Sequence, residues 1–130
     1  MKTAFEIPEF QEARRVRMNS SQNVQVGAVI TRDNKILSCA CNGRGSRTFR
    51  APGYHSITLP KHAEFMAISY INPEDIKGTT VWVWRETKDG VPTLARPCER
   101  HCMPFLKAVG VERVVYTTSE DPYFFTEEII

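Results

Sequence analysis

Lys61-His62-Ala63-Glu64, read together with Arg96-Pro97-Cys98-Glu99-Arg100-His101-Cys102, sets what the rest of the chain has to build. The first stretch offers an imidazole and, two residues on, a carboxylate; the second offers two thiols with three residues between them. One histidine and two cysteines make three zinc ligands, and a zinc site with three protein ligands keeps its fourth position for water, the catalytic arrangement. His62, Cys98 and Cys102 are therefore the candidate metal ligands for Zn2+, and Glu64 is left over to move protons. Two thiolates cancel the formal charge of the metal and limit the acidity it confers on water, so a neighbouring carboxylate has a task. Pro104 places the start of the second ligand-bearing helix near Cys102, because proline is accepted in a first turn and not in a helix interior. Cys98 then sits on a small loop, and His101 stands as a rival ligand. Free N–H groups at the helix starts predict both cysteines to be thiolates even before metal binds.

Outward from these stretches, His62 to Ile71 reads as a helix with an apolar stripe of Ala63, Met66, Ala67 and Tyr70. Val81-Trp82-Val83-Trp84, within Thr80 to Arg85, is a near-continuous apolar run that suits a central strand buried on both faces. Met103 to Val109 reads as a short helix stopped by Gly110. Glu112 to Thr117 follows as a strand parallel to the central one, through a right-handed crossover. Upstream, Val24 to Thr31 and Lys35 to Cys41 form an antiparallel hairpin about Asp33-Asn34. Phe10 to Met18 is a helix whose Arg14, Arg15 and Arg17 make a solvated basic side.

Asn42 to Lys61 shows no periodicity and reads as a long loop. It carries Arg44, Arg47 and Arg50, either as solvated surface or as a pocket wall forking onto a phosphate. Glu86 to Leu94 is a polar excursion with a turn at Lys88-Asp89-Gly90. Tyr123, Phe124, Phe125, Ile129 and Ile130 are too apolar for a free tail, and dock as a last strand or against the pocket. Cys39 and Cys41 lie on one strand face as small core residues; a second, structural zinc there needs two more ligands, with His55 and His101 the remaining histidines. The order predicts an α/β chain: a mixed central sheet of four to five strands flanked by helices, with residues 1–130 as a single domain.

The composition sets limits on function. At 130 residues, 42% hydrophobic and 25% charged, the chain supports one core. A net charge of +2 argues against a nucleic-acid polymer as partner and accommodates a small anionic substrate. No apolar run approaches a membrane span, and the first residues lack the apolar core of a secretory signal, so the expected location is the cytoplasm.

A histidine, a nearby glutamate, then Pro-Cys and a second cysteine form the signature of zinc deaminases of nucleobases. Gln25-Val26-Gly27-Ala28-Val29-Ile30, Asn42-Gly43 after the second strand, and Gly110-Val111-Glu112-Arg113-Val114-Val115-Tyr116 after the second ligand helix strengthen the likeness. The chain resembles the cytidine and deoxycytidylate deaminase superfamily, with dCMP deaminases nearest in look. The resemblance implies a three-layer cytidine-deaminase-like fold, a homo-oligomer, Asn42 on the sugar, and the Ala63 N–H on the cytosine carbonyl. It implies hydrolysis of a small-molecule nucleotide, dCMP to dUMP with release of ammonia; where the arginine-bearing loop is a pocket wall, Arg44 and Arg47 are the candidate substrate-binding arginines. Relatives usually have two residues between the cysteines where this chain has three. The rival readings are a deaminase of a base in single-stranded or flipped RNA or DNA, and a non-catalytic zinc-binding module.

Overall fold

The computed structural model describes residues 3–43, 46–51, 54–60, 62–119 and 123–130, with 46–51 and 54–60 as backbone. Its order is α1 (Pro8–Arg17), β1 (Val26–Arg32), β2 (Lys35–Cys41), β3 (Ser46–Ala51), β4 (Tyr54–Pro60), α2 (Ala63–Ser69), β5 (Thr80–Arg85), α3 (Cys102–Val109), β6 (Arg113–Thr117) and β7 (Phe125–Ile129). Five strands form a mixed sheet in the order β2-β1-β5-β6-β7, and β3 with β4 makes a separate two-stranded sheet. β1 is antiparallel to β2 and β5, β5 and β6 run parallel, and β7 returns antiparallel to β6.

Strand alternation sorts the side chains into two cores. Ala28, Ile30, Val81, Val83, Val114 and Tyr116 join α2 and α3 in the larger one. Val29, Trp84 and Val115 join Phe10 and Ala13 of α1 in the smaller. The Val-Trp-Val-Trp run is thus divided, valines to one face and tryptophans to the other, which is why it reads as continuous in sequence. Gly27 sets how closely α1 approaches the sheet: a Cβ there would lie 1.8 Å from the Ala13 carbonyl oxygen.

Several expectations need correction. Residues 42–61 are not one structureless loop, because β3 and β4 pair with Ser46 opposite Pro60 and Ala51 opposite Tyr54. Thr48, Phe49, Ile57, Thr58 and Leu59 favour strands, but prolines and glycines interrupt the period that would have revealed them. Arg44 and the side chains of Arg47, Arg50 and His55 lie outside the described residues. The buried side of α2 is Ala63, Glu64, Phe65, Ala67 and Ile68. Tyr70 falls after the helix ends and is 57% exposed, so it is not part of the stripe. The basic side of α1 is also not free. Arg14 Nε donates to Glu86 at 2.8 Å, Arg17 pairs with the same carboxylate at 2.5 Å, and Arg15 pairs with Glu12. The apolar tail does dock as a strand: β7 spans Phe125–Ile129, with Phe125 edge-on to Phe10 at 5.7 Å. Among the described residues no helix is long and apolar enough to cross a membrane.

Candidate active site

α2 and α3 present their first residues at one end of the sheet. His62 is the N-cap of α2, with extended backbone angles of φ −72° and ψ 150°, so its ring leaves the helix axis while Ala63 and Glu64 begin the first turn. The His62 ring stacks on Phe65 at 5.8 Å between centroids, and Phe65 meets Phe105 of α3 edge-on at 4.9 Å. Cys102 is the first residue of α3, and Pro104 falls in its first turn as the sequence requires. Cys98 stands on the preceding turn, which two contacts hold closed. Met103 N–H donates to the Cys98 carbonyl at 2.9 Å, and Cys102 N–H points to Cys98 Sγ at 3.3 Å. The extra residue between the cysteines is therefore absorbed by a turn outside the helix.

His62, Cys98 and Cys102 each bring one donor atom, and the three atoms lie within 4.8 Å of one another. His62 Nδ1 is 3.1 Å from Cys102 Sγ. One imidazole and two sulfurs form a soft, compact set that leaves one tetrahedral position open, and this donor chemistry fits Zn2+. His101 is exposed and stands outside the group. Cys39 and Cys41 are half-buried free thiols, and no second donor cluster occurs among the described residues.

The expected Cys102 thiolate is a point of correction. Burial pushes the Cys102 thiol well above its ordinary range, and the neighbouring Glu64 and Cys98 push in the same direction. The metal-free pocket therefore favours the Cys102 thiol over the thiolate, and metal binding has to work against that preference. Desolvation outweighs the first-turn amides here because Cys102 is wholly buried. Glu64 is 5% exposed, and burial raises its carboxyl above the usual range, with its own amide, His62 and Cys102 opposing that in part.

A cavity of about 260 Å³ opens over these groups, walled by His62, Ala63, Glu64, Cys98, Asn42 and Arg85 among others. The structure thus brings together Glu64, the three donors, Ala63 and Asn42. The N–H of Ala63 is at the start of α2 and has no intrahelical acceptor. Asn42 is more committed than the resemblance implies. Its Oδ1 accepts from Val26 N–H at 3.0 Å and its Nδ2 donates to the Val24 carbonyl at 2.7 Å, so its amide ties the end of β2 to the approach of β1.

Sequence reasoning missed Arg85, Leu94 and Arg96 in the wall. Arg85 had a signal, being the polar end of an apolar strand. Arg96 had none, because its partner Glu128 is 32 residues away: Nε and Nη2 grip that carboxylate at 2.5 and 3.1 Å, and Tyr116 Oη donates to it at 2.7 Å.

No curated protein matches the chain. Residues 9–118, from α1 through β6, match the family described as the cytidine and deoxycytidylate deaminase zinc-binding region. That span includes both helices carrying the donor atoms and all of the mixed sheet except β7. The protein accordingly belongs to the cytidine and deoxycytidylate deaminase family of zinc-dependent hydrolases.

Proposed function

We propose that the protein deaminates a free cytosine nucleotide, with dCMP as substrate and dUMP and ammonia as products. The observation that carries the reading is the buried carboxylate of Glu64 in a base-sized cavity beside the His62, Cys98 and Cys102 donors. In this reading the three donors hold Zn2+, which when bound supplies Lewis acidity toward the attacking water. The Ala63 N–H receives the cytosine carbonyl and orients the ring. Glu64 takes a proton from water as the oxygen adds to C4, and passes it to ring N3. It then takes the remaining proton from the new C4 hydroxyl and delivers it to the exocyclic nitrogen; the C4–N bond breaks, the C4 carbonyl forms, and ammonia leaves. Asn42 borders the sugar and holds the β1–β2 rim in place.

Two features favour a small substrate over a polymer. The cavity lies just under the range of about 300–1,000 Å³ usual for whole small-molecule sites. Arg14 and Arg17 are spent on Glu86, which removes the most obvious phosphate-tracking surface. A non-catalytic zinc module is disfavoured because a buried glutamate beside an open three-donor set has a high desolvation cost and no structural return. Homo-oligomeric assembly belongs to the same reading, supported by the exposed Ile36 and Leu37 on edge strand β2. A cytoplasmic location is supported by four cysteines that form no disulfide.

The deciding experiment is ammonia release by zinc-loaded protein on dCMP, CMP, deoxycytidine, dCTP and a cytosine-containing oligonucleotide. Turnover of dCMP, lost in Glu64→Gln, is the expected result. Activity on the oligonucleotide alone would keep the chemistry and overturn the substrate. Silence on all five with zinc bound would overturn both.

A further inference from the structure

Next to the candidate active site lies a larger cleft of about 700 Å³, and Arg85 lines both. Arg85 closes β5, and its backbone is clamped: its N–H donates to Thr117 Oγ1 at 3.1 Å, and its carbonyl accepts from Thr93 N–H at 3.0 Å. The side chain is exposed and has no carboxylate partner among the described residues. That sets it apart from the other arginines of the two cavities, since Arg14 and Arg17 are paired with Glu86, and Arg96 with Glu128 and Glu99. Lys88, at the tip of the excursion, adds a second cation to the cleft, with Thr87 and Thr93 as hydroxyl donors beside it.

A base filling the first cavity leaves the rest of a nucleotide to exit over the shared wall. The group standing there is a guanidinium on a clamped backbone, without a carboxylate partner among the described residues, and a guanidinium matches phosphate oxygens two at a time. We infer that Arg85 is the phosphate-recognition residue, and that the cleft it shares with Lys88 receives the 5′-phosphate of the substrate. This rests on the free-nucleotide reading above and gives it a site that does not depend on Arg44 or Arg47.

The test compares kcat/KM for dCMP and deoxycytidine in zinc-loaded wild type, Arg85→Gln and Arg85→Lys. Arg85→Gln should lower the dCMP value roughly 10- to 100-fold, the usual loss for a charge-assisted contact. Deoxycytidine turnover should fall by a clearly smaller factor than dCMP turnover, with zinc content and melting temperature reporting an intact fold, and Arg85→Lys should recover part of the dCMP loss. Inorganic phosphate should inhibit wild type competitively and inhibit Arg85→Gln about tenfold less well. A wild type that prefers dCMP and keeps that preference in Arg85→Gln overturns this inference and leaves the free-nucleotide reading standing. Equal losses on both substrates also overturn the inference. A wild type with no preference for the phosphorylated substrate overturns both.

Discussion

The two faces of the central sheet come from the same alternating strands and are finished in opposite ways. The face under α2 and α3 is lined by alanines, valines and isoleucines, and it ends in three metal-donor atoms and a buried carboxylate. The face under α1 is aromatic, with Phe10 edge-on to Trp82 at 5.4 Å and to Trp84 at 5.9 Å. It ends in a carboxylate, Glu86, held by two arginines and by Trp84 Nε1 at 3.1 Å. Buried glutamates thus occur on both sides, but one is neutralised by fixed cations and the other is not. The difference teaches that the carboxylate beside the donor atoms is the one without an arginine or lysine among the described residues to neutralise it, and that a row of arginines in sequence does not by itself mark a binding face.

The largest effect should come from breaking the reactive side. Glu64→Gln should lower deaminase activity by about 10²- to 10⁴-fold, with zinc content by metal analysis and melting behaviour unchanged. If activity survives, Glu64 is not the proton carrier. On the opposite face, Phe10→Ala should cost about 3–5 kcal/mol in urea unfolding through loss of aromatic packing. Zinc removal by a chelator should cost a further roughly 3–4 kcal/mol at saturating metal, and the two losses should add, because they sit on different sides of the sheet. Strong non-additivity would show that the faces are coupled. Gly27→Ala should cost about 1–3 kcal/mol by forcing α1 off the sheet, measurable as a shift of the urea midpoint at constant zinc content.

The smallest effect concerns Glu86. Burial raises its carboxyl pKa, but hydrogen bonds from Arg14 and Trp84 and the Arg17 charge outweigh this and hold it below the ordinary glutamate range. A depressed folded pKa contributes stability above the unfolded value and loses it as pH falls through the folded value. Glu86→Gln should therefore destabilise by about 1 kcal/mol at pH 7, a modest figure because Arg14 is open to solvent. The difference from wild type should shrink in acid. A gap that stays constant from neutral to strongly acidic pH would show that the pairing does not depend on the Glu86 charge.

Much of this architecture was legible in the chain. His62, Glu64, Cys98 and Cys102 announce themselves because metal chemistry restricts residue type, and Pro104 located the start of α3 because proline restricts backbone position. The parallel β5–β6 pair followed from handedness and connection length. What escaped depended on partners distant in sequence. The β3–β4 pair has no clean period of its own and is defined by each strand facing the other. Arg14 and Arg17 looked solvated because Glu86 is about seventy residues away. Cys102 looked like a thiolate from its place on a helix, whereas its burial depends on everything packed around it.

Thr117 has a consequence for how this chain tolerates change. Its hydroxyl accepts from Arg85 N–H and donates to the Thr93 carbonyl at 2.7 Å, while its own carbonyl accepts from Ala95 N–H at 2.9 Å. Both feet of the excursion after β5 are thereby stitched to one buried residue of β6, and Cys98 leaves from the second foot. The tip between Thr87 and Val91 is outside the stitches. Since lengthening a closed loop adds little entropy cost, residues inserted there would not change where the metal-binding turn begins. The segment is a natural graft point, a place to attach a reporter or a new recognition loop beside the cavity without redesigning the catalytic floor.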